Sequence, residues 1–286
     1  FGDSGLVADP DLAKNLARVK DRFETLVIER TDIRIVVSRR MLMKTDEQKA
    51  HIRSYLQQFT ETFENLERDM DTFVEVWPVH PKFLEIFHKI QISQEKRQVF
   101  KAVADFIKPR LKEKVPSDRP GLLTYDLHWQ TIAGETALEA NAEVKEVKNA
   151  MVTIESRIDQ TMDEWQKKTS RKLVRGLAIH RFTTPNIKVS AGLTANDLRL
   201  ELFPYIPKLP KKDPERMTEM IVGLLNSVQK ACLGELLNEK DGQWFLDLDL
   251  TQNWYHLVEE HRAQLSEPDK DRYFFNVIRQ VVLGNI

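Results

Sequence analysis

The sequence contains one cysteine, Cys232, so no disulfide can form within the chain. Cys232 follows Leu224, Leu225 and Val228, and this apolar setting predicts a small core residue of low reactivity. No apolar run approaches the roughly 20 residues that a membrane span needs. The N-terminus also lacks the basic and then apolar pattern of a signal peptide. These absences predict a cytoplasmic chain that makes no contact with a membrane.

The common signatures of catalytic and cofactor sites are missing as well. The chain has no G-x-x-x-x-G-K-[ST] loop, no G-x-G-x-x-G turn and no Cys-x-x-Cys pair. The stretch HLVEEH places His256 and His261 five residues apart, which is about 140° around a helix. The two imidazoles therefore do not share the face that a zinc pair requires. We expect neither a metal nor a cofactor to be bound by this chain.

The residues that are present have mainly helical periodicity. A first helix and the short apolar run Leu26–Ile28, which suits a strand, occupy residues 1–31. Thr31 is predicted to cap the helix that opens a helical bundle over residues 32–115. Within this bundle, one helix is expected to carry the stripe Ile52, Leu56, Phe59, Phe63 and Leu66. Further helices are predicted from Pro81 and from Val99 to Leu111.

A connector with Pro116, Pro120 and Gly121 separates the bundle from the second half of the chain. It leads into a helix of about six turns, whose apolar stripe runs from Val144 to Trp165 and is expected to lie in the core. The connector and this helix make up residues 116–165.

Residues 166–250 read as three helices followed by a β-hairpin. The middle helix begins with the capping pattern of Thr194 and Asp197, and the third helix covers residues 213–232. In the hairpin, Trp244 and Leu246 alternate with polar residues after the turn Asp241-Gly242. Three helices and a ribbon are the order of a winged-helix domain. The predicted fold class is thus mainly α, a helical lid-like bundle followed by a winged-helix domain and C-terminal helices over residues 251–286.

Positive charge is concentrated between Gln166 and Lys212, where eleven Lys and Arg face only two acids, Asp197 and Glu201. Because the whole chain has a net charge of −1, the rest is negative. Such a segment attracts a polyanion, although the charges could also be solvated or paired with distant carboxylates. The exposed positions of the third helix are mixed, so base-specific recognition is not expected. The predicted DNA-binding residues, which would contact phosphates, are Arg171, Lys172, Arg175, Lys208, Lys211, Lys212 and Lys240.

One stretch resembles a segment of AAA+ ATPases. Residues 16–44 read LARVKDRFETLVIERTDIRIVVSRRMLMK. In the AAA+ family a helix ending in Arg-Phe, a short strand and an acidic residue that opens the first lid helix follow one another in this way. The resemblance implies that Arg18 or Arg22 reaches the ATP of a neighbouring subunit and stabilises the charge on the transferring phosphoryl group. The alternative is that both arginines are surface charges of a helix.

Longer stretches resemble the large P-loop ATPases of bacterial phage-exclusion (BREX) systems, of the PglY and BrxC kind. The resemblance runs from about Leu16 to Leu283 and includes EKRQVFKAVADFI, VPSDRPGLLTYDLHW and LVRGLAIHRFTT. It implies a cytoplasmic ATPase of an anti-phage complex that acts on or near DNA, uses ATP and Mg²⁺ and contacts other subunits of that complex. An assembly of identical chains through the ATPase core is compatible with it. Because the P-loop is missing here and the chain begins at Phe1, we expect an inactive fragment of such a protein.

Two hypotheses follow from the sequence. In the first, the chain is a non-catalytic lid and winged-helix fragment that couples nucleotide state to nonspecific contact with DNA or with a partner. In the second, it is a helical adaptor that binds only protein partners.

Overall fold

The computed structural model describes residues 30–90, 98–184, 192–207, 209, 213–248 and 266–278. Helices dominate these residues, and their strands form one small antiparallel sheet. The α-helices are α1 Arg30–Arg40, α2 Asp46–Gln57, α3 Glu64–Arg68, α4 Met70–Val76, α5 Pro81–Lys89, α6 Gln98–Ile107, α7 His128–Gly134, α8 Ala142–Thr161, α9 Glu164–Arg181, α10 Ala195–Leu202, α11 Pro214–Ala231 and α12 Glu267–Ile278. Short 3-10 helices lie at Lys108–Arg110, Tyr125–Leu127 and Thr136–Ala140.

The bundle, which comprises α1 to α6, has more and shorter helices than its apolar pattern predicts. The stripe expected on one helix is instead divided between α2 and α3, because the chain turns at residues 58–63. There the Thr60 hydroxyl donates to the Gln57 carbonyl at 3.0 Å, and such a bond competes with continued helix. The apolar side chains from Leu56 to Leu66 are nevertheless buried, including Phe59 and Phe63 within the turn.

Two other boundaries of the bundle differ from the sequence prediction. Helix α1 already begins at Arg30, so the expected cap residue Thr31 lies inside the helix. Helix α6 ends at Ile107, and Leu111, expected on its apolar face, is 73% exposed. The start of α5 agrees with the prediction, since Pro81 occupies its first turn and His80 caps it by accepting from the Lys82 N–H.

The long helix predicted to reach Trp165 ends earlier, at Thr161. Asp163 and Gln166 form a capping box that starts α9, so the chain reverses at Met162. Trp165 is therefore in the first turn of α9 and is 40% exposed rather than in the core. The rest of the predicted stripe is confirmed, because Val144, Val147, Met151, Ile154 and Ile158 are all fully buried.

The three-helix body, which we define as residues 164–246, contains α9, α10, α11 and a three-stranded sheet. The strands are β1 Leu193–Thr194, β2 Leu237–Lys240 and β3 Gln243–Leu246, and β3 lies between the other two. The predicted hairpin is confirmed, with Asp241 and Gly242 at positive φ in its turn.

Strand β1 was not predicted. It pairs Leu193 with Trp244 and Thr194 with Gln243. A Cβ at Gly192 would lie 2.7 Å from the Gln243 Cβ, so the strand can approach β3 this closely because residue 192 is a glycine.

One continuous hydrophobic core joins the bundle, the connector and the three-helix body. It includes Phe83 in α5, Tyr125 in the connector, Leu177 in α9 and Trp244 in β3, each 4% exposed or less. The connector also pairs with the bundle through backbone bonds, since the Leu123 N–H donates to Pro78 O at 2.8 Å. The two halves are therefore packed as one body, although the sequence contains a clear turn-forming stretch between them.

Candidate nucleic-acid interface

Helix α9 carries three of the predicted phosphate contacts, Arg171, Lys172 and Arg175, and all three are half-buried. The helix lies against α8, which runs in the opposite direction after the reversal at Met162. Whether its arginines can reach a polyanion therefore depends on the charges that α8 presents to them.

The two arginines are neutralised by carboxylates of α8. The Arg175 guanidinium donates twice to Glu155, with Nε–Oε1 at 2.8 Å and Nη2–Oε2 at 3.1 Å, and Arg171 pairs with Asp159. A bidentate pair of this kind is among the stronger interactions of an arginine. A DNA phosphate would have to displace these carboxylates, so Arg171 and Arg175 are not the free cations that the charge count indicated.

Lys172 faces inward, toward the carboxylate of Asp126 in the connector. Burial lowers the pKa of Lys172, and the nearby Asp126 charge opposes that shift. Burial likewise raises the pKa of Asp126, and the nearby charge of Lys172 opposes that increase. This arrangement makes Lys172 part of the packing between the connector and α9 rather than a solvated phosphate contact.

Other cations of the basic segment also have partners inside the protein. Lys167 pairs with Glu164 at 2.5 Å. The buried Arg181 donates to the Leu246 carbonyl, and the buried Arg199 forms an ion pair with Glu64. Among the described residues of this segment, Lys168 is the cation that lies exposed on the surface of α9.

Lys240 lies at the end of β2 beside the hairpin turn and is exposed. Two acids flank it, Glu239 and Asp241, and the Glu239 carboxylate accepts a hydrogen bond from the Gly242 N–H across the turn. The tip of the hairpin therefore offers one cation among two acids, which is a weak positive field for a phosphate.

Several predicted residues cannot be placed. Lys208, Lys211 and Lys212 lie outside the described residues, as do Arg18 and Arg22 with the predicted strand Leu26–Ile28. His256 and His261, for which a zinc pair was excluded, also lie outside them.

An open cleft of about 660 Å³ lies where the bundle meets α10 and α11. Its lining includes the carboxylates of Glu61, Glu64, Glu215 and Glu219, with Arg199 as the cation among them. The first turns of α11 belong to this acidic surface, and a phosphate backbone would be repelled there. The spacing of Glu215 and Glu219 on α11 could be read from the sequence, but their proximity to residues 61 and 64 could not.

Within the described ranges, no group of His, Cys, Asp and Glu side chains is arranged to hold a metal ion. In the same part of the chain, no helix combines the length and the apolar character that a membrane crossing requires.

Residues 45–252 match the family described as DUF6079 second domain. The matched range begins just before α2 and ends after the hairpin, so it contains most of the bundle, the connector and the whole three-helix body. No curated protein and no solved structure matches the chain.

Proposed function

This chain belongs to the family of the DUF6079 second domain, and we propose that it is the non-catalytic lid and winged-helix part of a BREX-type P-loop ATPase. In this proposal the segment couples the nucleotide state of the ATPase to contact with DNA or with a partner. ATP and Mg²⁺ are bound elsewhere in the larger protein, because the chain itself contains no phosphate-binding loop.

The order of elements in the three-helix body carries the proposal. A helix, a short strand, two helices and a hairpin follow one another, and the strands pair in the order β1-β3-β2. This is the arrangement expected of a winged helix, with α11 as the third helix and β2–β3 as the wing. In this proposal the winged helix responds to movements of the lid, because one hydrophobic core joins the two parts.

The DNA contact in this proposal is nonspecific and made to phosphates. With Arg171 and Arg175 paired to α8, the exposed cations on the described surface of the body include Lys168 on α9 and Lys240 on the wing. The predicted loop residues Lys208, Lys211 and Lys212 would add to them.

Salt-dependent DNA binding tests this assignment. The chain is titrated onto a fluorescent duplex of mixed sequence from about 50 to about 300 mM NaCl, and anisotropy is recorded. We expect affinity to fall steeply with salt, and Lys240→Glu and Lys168→Glu each to weaken it roughly fivefold and to reduce the salt slope by about 1. Lys101→Glu, the same charge change at an exposed position of α6, is the matched control and is expected to have a much smaller effect.

If affinity does not depend on salt, or if all three variants bind equally well, the phosphate contact is wrong. That result would favour the second candidate function, an adaptor that binds only protein partners. Two observations already favour it: the arginines of α9 are neutralised by Glu155 and Asp159, and the start of α11 lies in the acidic cleft.

A further inference from the structure

The end of α10 and the residues that follow it lie between the bundle and the three-helix body. We name residues 199–205 the joint. Its side chains and carbonyls bond to α3, α5 and the connector on one side, while α10 itself packs on α9 and α11 on the other. Each polar group of the joint that is buried by this contact would lose its partner if the two sides separated.

Arg199 shows this most clearly, because it is 3% exposed. Its guanidinium donates to both carboxylate oxygens of Glu64, at 2.9 and 2.7 Å, and also to the Thr62 carbonyl. Within α10 it bonds to Asn196 as well. The Glu64 side chain is 54% exposed, whereas that of Arg199 is only 4% exposed. Removing the Glu64 charge would therefore leave a buried guanidinium without its carboxylate, which is the costly case.

The carbonyl of Leu200 accepts from two side chains of the bundle, Asn65 Nδ2 at 2.8 Å and His80 Nε2 at 3.3 Å. His80 Nδ1 accepts from the Lys82 N–H at 2.9 Å, so the proton of the neutral ring is on Nε2 and points at Leu200. The cap of α5 thereby fixes the tautomer that joins α5 to α10.

Glu201 and Phe203 complete the joint. The Tyr125 hydroxyl donates to Glu201 at 3.0 Å, and Lys82 pairs with the same carboxylate at 3.2 Å. The Phe203 ring lies 4.4 Å from the Phe63 ring and 5.0 Å from that of His80, measured between centroids. Phe203 holds a left-handed φ of 46°, which turns its ring into the bundle at the end of α10.

From these contacts we propose that the joint couples the bundle rigidly to the three-helix body. The two parts then move without a hinge between them, and they unfold and refold as one cooperative unit. A displacement of α3 to α5 is delivered through α10 to α9, and from α9 to the hairpin through the bond from Arg181 to the Leu246 carbonyl. The coupling goes beyond the proposed function, because it holds whether the body binds DNA or protein.

Native-state hydrogen exchange in increasing guanidinium chloride tests the coupling on the whole chain. The amides of α4 and of β3 lie on opposite sides of the joint, and we expect both to exchange through an opening of the same free energy. In Glu64→Gln, which removes the charge that balances Arg199, exchange at both places is expected to speed up by the same factor, about tenfold. Glu67→Gln is the matched control, since Glu67 is exposed on the same helix α3.

Different opening free energies for α4 and β3 in the unaltered chain would overturn the proposal. An effect of Glu64→Gln confined to one side of the joint would overturn it equally. Neither result depends on DNA binding, so failure of the coupling and failure of the proposed function are separate outcomes.

Discussion

At the scale of single residues, the surroundings of a charge decide what it can contact. Arg171 and Arg175 are residues of the type that binds phosphates. However, they already donate hydrogen bonds to Asp159 and Glu155 on the neighbouring helix α8. These half-buried pairs reduce the positive field that is available to a ligand. If this surface contacts phosphates, the contact would therefore be made by exposed cations such as Lys168.

Trp244 is a residue whose role follows from its burial. It is 4% exposed and packs the hairpin against the helices, so Trp244→Ala removes a large buried aromatic side chain. We expect the free energy of unfolding to fall by about 3 kcal/mol or more in urea denaturation. Trp165→Ala is the control, because Trp165 is 40% exposed, and it is expected to cost about 1 kcal/mol or less. Equal losses for the two variants would mean that the hairpin does not cover the core.

At the scale of helices and strands, a glycine decides how closely helix α9 can pack against helix α10. A Cβ at Gly176 in α9 would lie 2.5 Å from Leu202 Cδ1 of α10, and Leu202 is fully buried. A Cβ at Gly223 in α11 would meet nothing within 4 Å. Both glycines are inside helices, so an alanine raises the helix propensity at either position. The difference between the two substitutions therefore measures the effect of packing.

We expect Gly176→Ala to destabilise the chain by about 1 to 2 kcal/mol, because the overlap with Leu202 exceeds the gain in helix propensity. Gly223→Ala should instead stabilise it by about 0.5 to 1 kcal/mol. Thermal and urea unfolding measure both changes. A stabilised Gly176→Ala variant would show that α9 and α10 are not in tight contact.

At the scale of the whole molecule, buried histidines link stability to pH. Burial lowers the pKa of His80 to about 3 and that of His128 to about 4. In the unfolded chain both titrate near pH 6.5, so below this pH the unfolded state binds more protons than the folded state. Their contribution to stability is therefore present above pH 6.5 and is lost as the pH falls toward the folded-state values.

Between pH 7.5 and pH 5.5, each of these histidines is expected to reduce the free energy of unfolding by about 1.4 kcal/mol. Urea unfolding at the two pH values measures the loss, and His80→Gln should remove roughly half of it. His51→Gln is the control, since His51 is exposed on α2. Burial raises the pKa of Asp126 and of Glu201, which acts in the opposite direction, so the comparison between variants isolates His80. An unchanged pH dependence in His80→Gln would contradict the buried neutral ring.

Local patterns in the sequence predicted much of the architecture. The turn Asp241-Gly242 and the capping pattern at Thr194 each depend on neighbours in the chain, and both are confirmed. Cys232 is a buried core residue, as predicted, and burial raises the pKa of its thiol to about 11. The break between α8 and α9 lies at Met162, three residues before the predicted helix end at Trp165, and the capping box of Asp163 and Gln166 accounts for the difference.

The sequence alone therefore determined the mainly helical class, the hairpin and which faces of the helices are apolar, because helix caps, turns and periodicity act over a few residues. Only the tertiary structure decided which charges remain free and how the two halves are joined. The pairs Arg175–Glu155 and Arg199–Glu64 join residues 20 and 135 positions apart, and no periodic pattern relates such positions. Packing brings them together, and the buried Arg199 guanidinium needs its partner because an uncompensated charge at that position is costly.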